Sequence, residues 1–192
     1  MKYLKIEDIS IENNKLEKLQ KYISKRKVVA VAGHRPNHLG GYSNDVHKLL
    51  VKTAKRALKK VKPDVIITGM TLGWGQAVAE ACIKLNIPFI AAIPNKDFGK
   101  SWSESFVARY LDLLSRAKYV YLAYSKPYSF FTIANRNMWM VDNANKLLAC
   151  WNEELLKGDT YETVEYCKKV NKPIENVYSI FKKLQEKGTV NG

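Results

Sequence analysis

Three glycines fall within seven residues of "ITGMTLGWGQAVAEACIKL", residues 67–85. Gly69, Gly73 and Gly75 permit positive φ and let a ligand approach the backbone closely. A helix pattern begins at once behind them, and the free N–H groups of a helix start favour an anion. Thr68 and Thr71 lie in the same stretch. This is the chemistry of a phosphate or ribose cradle, although a strand-to-helix turn with packing duty alone would use the same residues. It is not a P-loop, because no Gly-Lys-Ser/Thr follows. "GWGQAV" copies the start of G-x-G-x-x-G but sets Val78 at the third glycine, and no acid closes the next strand at Pro94-Asn95. A standard dinucleotide fingerprint is therefore weak.

Other chemistry-bearing residues cluster in three further stretches. In "AGHRPNHLGGY", Gly33 ends an apolar run and His34-Arg35 stand at its tip. Arg35 can fork onto a phosphate or carboxylate, and His34 can donate a hydrogen bond or move a proton. In "ANRNMWMVDNA", Arg136 and Asn137 precede a helical apolar run; Arg136 also reads as a surface arginine lying over packed Trp139 and Met140. In "WNEELLKGDTYETVEY", Gly158-Asp159-Thr160 open a helix, with Asp159 or Thr160 suited to the N-cap. The carboxylates near this rim are Glu80, Asp142, Asp159 and Glu162. Two of them, or one with a bound sugar hydroxyl, could do acid/base work at a glycosidic carbon. Spacing alone does not establish that they converge. His34, His38 and His47 match no common zinc arrangement, so no metal is expected.

These residues must be positioned by a strand–helix alternation. "KVVAVAG", "PDVIITG", "IPFIAAIP", "KYVYLAYS", "NKLLACWN" and "KPIENVYSI" read as strands. Helical patterns separate them, and a charged amphipathic helix over 13–25 precedes the first. Near-continuous apolar strands call for a mostly parallel sheet with helices on both faces: a Rossmann-like, doubly wound α/β fold. In such a sheet, ligands bind outside the carboxyl ends of the strands. The loops 33–42, 69–75, 95–102 and 151–160 all leave strands and should gather on that edge.

Composition bounds the rest. The 192 residues are 46% hydrophobic and 26% charged, enough for a real core. Three scattered cysteines without C-x-x-C suit a reduced, cytoplasmic setting. The N-terminus lacks a signal-peptide core, and no apolar run nears the ~18 residues of a membrane span. The net charge of +14 points to a phosphorylated small molecule or a nucleic acid as partner. Lysines interleave with an apolar stripe in "VKTAKRALKKVK" and no aromatic–basic platform is evident. Nucleic acid is thus permitted but not favoured. Tyr128, Phe130 and Phe131 read as exposed aromatics and suggest a homo-oligomer.

Taken in order, "GHRPNHLGGY", "TGMTLGWGQAVAEACIKLNIPFIAAIP", Trp102 followed by "YLDLLSRA", "RNMWMVDNANKLLACWN" and "GDTYETVEYCKKVNKPI" resemble the YpsA-like branch of the SLOG superfamily, including versions common in phages and mobile elements. The resemblance spans roughly residues 27–175. It implies a Rossmann-like fold with a nucleotide or nucleotide sugar at the glycine-rich edge. The superfamily includes cytokinin-activating phosphoribohydrolases, the DNA-processing protein DprA and sensors of cyclic ADP-ribose-like signals.

By position, the resemblance assigns Gly33, His34 and Arg35 to the first loop, and Thr68, Gly69, Gly73, Gln76 and Glu80 to the central loop and helix. Arg136, Asn137 and Asp142 belong to the third motif. Relatives often carry Gly-Gly-Thr where this chain has Gly158-Asp159-Thr160 after two or so extra residues. The phosphoribohydrolases place a catalytic Glu beyond that triplet; Glu162 lies near that point but out of clear register. This departure weighs against hydrolysis more than against binding.

The expectations are an N-terminal helical extension over 1–26 and one SLOG-like domain over 27–192. The domain would bind a nucleotide or ADP-ribose-like ligand as a sensor or sequestering protein, with no further cofactor. Phosphates would sit on the amides of Gly69–Gly75 and Asp159-Thr160, near Arg35 and Arg136, and Trp74 or Trp102 would stack on a base. The alternatives are an N-glycosidic hydrolase or transferase acting on nucleoside monophosphates through Glu80 or Glu162, and a DprA-like DNA-associated protein.

Overall fold

The computed structural model describes residues 16–123 and 130–189, without the side chains of 130–131 and 188–189. Six strands form one sheet: β1 (Val28–Gly33), β2 (Val65–Thr68), β3 (Phe89–Ile93), β4 (Tyr119–Leu122), β5 (Lys146–Cys150) and β6 (Ile174–Asn176). Their order is β4-β3-β2-β1-β5-β6, and every pairing is parallel. Seven helices accompany them: α1 (Leu16–Ile23), α2 (Asn44–Val61), α3 (Trp74–Lys84), α4 (Glu104–Ser115), α5 (Phe130–Asp142), α6 (Asp159–Lys169) and α7 (Tyr178–Thr189). The expected doubly wound α/β fold is what the chain adopts.

Strand periodicity divides the core in two, because successive side chains point to opposite faces. Val29, Val31, Ile66, Phe89, Ala91, Ile93, Leu148 and Cys150 face α2, α3, α4 and α7. Val28, Ala30, Val65, Ile67, Ile90, Ala92, Leu147 and Ala149 face α1, α5 and α6. Burial on both faces explains why the strands carry apolar runs instead of an alternating pattern. Helix α2 starts on Ser43, whose hydroxyl accepts from the Val46 amide at 3.3 Å. It buries Leu50, Ala54, Ala57, Leu58 and Val61 and turns its lysines outward.

The last strand departs from the sequence expectation. The pattern suggests strand over 172–180, yet β6 stops at Asn176 and α7 begins two residues later. The Asn176 side chain is the reason. Its Oδ1 accepts from the amides of Trp151 (3.1 Å) and Tyr178 (3.2 Å), ending the ladder and starting the next turn. Residues 1–15 of the expected N-terminal extension lie outside the described residues. So do Tyr128 and the side chains of Phe130 and Phe131, on which the oligomer expectation rests. Among the described residues no helix is long and apolar enough to cross a membrane.

Candidate functional site

From β1 to β4 the strands are laid down in one direction across the sheet, and β5 then starts on the other side of β1. Loops leaving β1 and β5 part in opposite directions at this switch point, where open α/β sheets bind ligands. A crevice of about 300 Å³ opens there. Gly33, His34 and Arg35 line it from the loop after β1. Gly69, Thr71 and Gly75 line it from the loop after β2 and the start of α3. Gly158, Asp159 and Thr160 line it from the loop after β5 and the start of α6, and Arg136 and Asn137 reach it from α5.

The floor is a tight loop. Its Gly73 adopts φ +87, and a Cβ there would lie 2.8 Å from the His34 carbonyl oxygen. Glycine is thus required where the loops after β1 and β2 touch. Thr68 Oγ1, fully buried, donates to the Gly75 carbonyl at 2.9 Å and accepts from the Met70 amide at 3.3 Å. Gln76 Nε2 donates to the Met70 carbonyl at 3.3 Å. These three residues shape the floor from behind and do not line the crevice. Gly73 caps α3 with no capping side chain, and the Gln76 and Ala77 amides return to the carbonyls of Thr71 and Gly73. The amides of Trp74 and Gly75 remain at the helix start as orphan donors.

Arg136 is not the surface arginine that its sequence allows. It is 1% exposed. Its Nη1 donates to the carbonyls of Gly69 and, at 2.8 Å, of Ala92, joining the ends of β2 and β3. Nε donates to Asn137 Oδ1 at 2.8 Å, and Asn137 Nδ2 donates to Thr163 Oγ1 at 2.9 Å. A cation is thereby fixed beneath the floor, since guanidinium does not deprotonate in proteins. A Cβ on Gly69 would come within 2.5 Å of Arg136 Nη1, so this glycine makes room for the cation.

Arg35 behaves differently. Half-exposed, it crosses the crevice mouth to Asp159 with Nη2 3.0 Å from Oδ2. Asp159 is the first residue of α6, and its cap is Gly158, not Asp159 or Thr160 as the sequence suggests. No side chain caps this helix either. Thr163 Oγ1, one turn on, donates to the Asp159 carbonyl at 2.6 Å.

His34 is nearly buried and lies 5.4 Å from the His38 ring. Burial, with His38 adding to it, holds the imidazole below its usual pKa. Nε2 accepts from the Asn152 amide at 3.0 Å, which assigns the ring proton to Nδ1.

Four nominated residues or roles lie elsewhere. Glu80 does not line the crevice. It accepts from His47 at 2.7 Å and Lys84 at 2.8 Å where α3 meets α2. The His47 hydrogen bond, helped by Lys84 and opposed by burial, holds its carboxyl down at about 2. Glu162 is exposed on α6, off the crevice lining. Asp142, at the far end of α5, accepts from the Tyr166 hydroxyl at 2.8 Å. Trp74 is wholly buried against Gly33 and directs Nε1 at the Leu148 carbonyl, 3.4 Å away, so it offers no face to a base.

Sequence reasoning did not single out Asn37, Leu155, Lys157 or Thr163 as crevice residues, yet they line it with His38. For Thr163 a signal existed: it stands one helical turn beyond Asp159. The loop after β3 does not reach the crevice. It closes a neighbouring cleft of about 650 Å³, whose wall includes Tyr42, Phe98, Trp102 and Phe106 and shares Arg35 and Thr71 with the crevice. Among the described residues no three His, Cys, Asp or Glu side chains gather as metal ligands.

With this geometry in view, the model of the YspA SLOG family (YpsA) matches residues 29–182. No curated protein matches the chain. Solved structures do. DprA from Helicobacter pylori, described with a single-stranded DNA binding mode, is 17% identical with a TM-score of 0.58, covering 88% of this chain and 75% of that one. DprA from Streptococcus pneumoniae is 18% identical with a TM-score of 0.56, covering 79% of this chain and 50% of that one. This chain thus aligns with half the length of the pneumococcal protein. The molybdenum cofactor carrier protein from Chlamydomonas reinhardtii is 11% identical with a TM-score of 0.50, covering 83% and 85%. At these identities the likeness is one of fold.

Proposed function

The chain belongs to the YspA SLOG family, and on that premise we propose that it binds a phosphorylated, nucleotide-derived ligand, a nucleotide or an ADP-ribose-like nucleotide sugar, in the switch-point crevice. It would act as a sensor or a sequestering protein. One observation carries the reading. Two helices, α3 and α6, open on glycine caps without capping side chains, and both starts line the same crevice beside Arg35, Lys157 and Arg136. Helix starts carry orphan N–H donors and partial positive charge, so a phosphate gains from both at once. Among the described residues Asp159 is the one carboxylate in the lining, and Arg35 already holds it.

Calorimetric titration with nucleoside monophosphates, ADP-ribose and cyclic derivatives tests this. Binding of at least one, weakened about tenfold or more by Arg35→Ala, is expected. Absence of binding across the panel, or indifference to Arg35→Ala, overturns it.

Catalysis at a glycosidic carbon has less support, because Glu80 and Glu162 lie off the crevice. Such an activity would fall to Asp159, and release of free base from nucleoside monophosphates would reveal it. A DNA-associated role rests on a separate feature. Lys52, Lys55, Arg56, Lys59 and Lys62 run along the outer side of α2, which carries Asp45 as its sole acid. Single-stranded DNA binding that falls steeply with salt would support that role.

A further inference from the structure

The cleft beside the crevice has a different chemistry from the crevice itself. Its wall is built from aromatic rings on three segments: Tyr42 before α2, Phe98 and Trp102 on the loop after β3, and Phe106 in the first turn of α4. Trp102 is half-buried, its ring edge-on to Phe98 at 5.2 Å and to Tyr110 at 5.5 Å. Tyr110 and Phe98 are buried and hold the indole from behind. Tyr42 lies at the rim, 54% exposed, with its ring 5.8 Å from Phe106. Gly99, at φ +90, passes so close to the indole that a Cβ would lie 3.0 Å from it. The loop therefore folds around Trp102.

Packing alone does not account for an aromatic wall around about 650 Å³ of open space. Half-buried Trp102 and exposed Tyr42 line the cleft, and aromatic rings at a cleft are a stacking platform for another planar ring. Arg35 and Thr71 belong to both walls, so a ligand anchored in the crevice by phosphate extends past Arg35 into the cleft.

We infer that the aromatic cleft around Trp102 and Tyr42 is the base subsite of the same ligand, with Arg35 at the junction between base and phosphate. The inference rests on the crevice being the phosphate site. It makes the protein selective for nucleotides over sugar phosphates, because a ligand without a planar ring leaves the cleft unfilled.

The test compares AMP, GMP, CMP and UMP with ribose 5-phosphate by calorimetry, on wild type, Trp102→Leu, Tyr42→Ala and Arg35→Ala. At least one nucleotide should bind about tenfold or more tighter than ribose 5-phosphate. Trp102→Leu should remove about tenfold of nucleotide affinity and Tyr42→Ala a smaller factor, both leaving ribose 5-phosphate unchanged. Arg35→Ala should weaken both ligand classes. Tyr42 is at the rim, so its variant keeps the test valid if Trp102→Leu disturbs the Phe98–Tyr110 cluster. Equal affinity for nucleotides and ribose 5-phosphate overturns the base subsite while leaving the crevice reading intact. So does nucleotide affinity unmoved in both ring variants. Absence of binding by every ligand overturns the base subsite, and the crevice reading falls with it when ADP-ribose and its cyclic derivatives also fail to bind.

Discussion

The start and the middle of α3 carry opposite charges to opposite purposes. At its start the amides of Trp74 and Gly75 have no capping side chain, and Gly75 lines the crevice. Two turns on, Glu80 presents a carboxylate, and His47 and Lys84 close on it at 2.7 and 2.8 Å. Both places look functional in a linear reading, since each is a polar group beside an apolar helix face. They differ in what stands opposite. The carboxylate is already answered within the protein, so it works as a tie between α2 and α3. The helix start opens onto a cavity at Gly75 and no side chain caps it, which is the arrangement the proposed anion site rests on.

The comparison can be broken most forcefully beneath the crevice end. Arg136→Ala strands the carbonyls of Gly69 and Ala92 in the interior, which costs about 3 kcal/mol and lowers Tm by roughly 10 °C. A thermal melt unchanged within a degree would show that the floor does not depend on this cation. Gly73→Ala forces a side chain into positive φ and against the His34 carbonyl, at about 1–3 kcal/mol. Urea denaturation should register that loss, and ligand binding should weaken in parallel. If stability falls while binding is retained, the floor is not the phosphate seat.

Smaller effects sharpen the contrast. Glu80→Gln should cost about 1 kcal/mol at pH 7 once solvent screening is allowed for, with ligand affinity untouched. The Glu80 carboxyl sits at about 2 in the fold against an ordinary 4.5, so its contribution is present above pH 4.5 and drains away as pH falls toward 2. The stability gap between wild type and variant should close across that window. A variant that binds ligand poorly, or loses a base-releasing activity, would move Glu80 from the tie to the site. Asp159→Asn should have the smallest effect and an opposite sign. It frees Arg35 from its carboxylate and should tighten anion binding about threefold, near 0.6 kcal/mol, as seen by calorimetry.

Much of this was legible in the residues, for a physical reason. A strand buried on both faces leaves an apolar run, and a helix covering it leaves a periodic stripe, so β1 to β5 and their helices appear in the sequence within a few residues of their bounds. Loops that follow parallel strands share one edge by topology, which is why Gly33, Gly69 and Gly158 come together. The direction in which a side chain leaves its helix was not legible in the same way. Arg136 and Asp142 stand two turns apart on α5, and nothing local tells that one enters the floor while the other meets Tyr166. Trp74 reads as a stacking ring until Gly33 is seen to receive it. β6 was overread because one asparagine side chain outbid the ladder.

The burial of Arg136 has a consequence for how the protein responds to its medium. The lysines along α2 act through solvent, and at physiological ionic strength their pull fades over ~8 Å. A guanidinium sealed under the floor is shielded by no such ion cloud on the protein side. If the crevice takes a small anion as proposed, raising salt should strip away any attraction of this +14 chain for polyanions well before it weakens binding there. Ionic strength alone could then separate what the protein gathers along its surface from what it keeps.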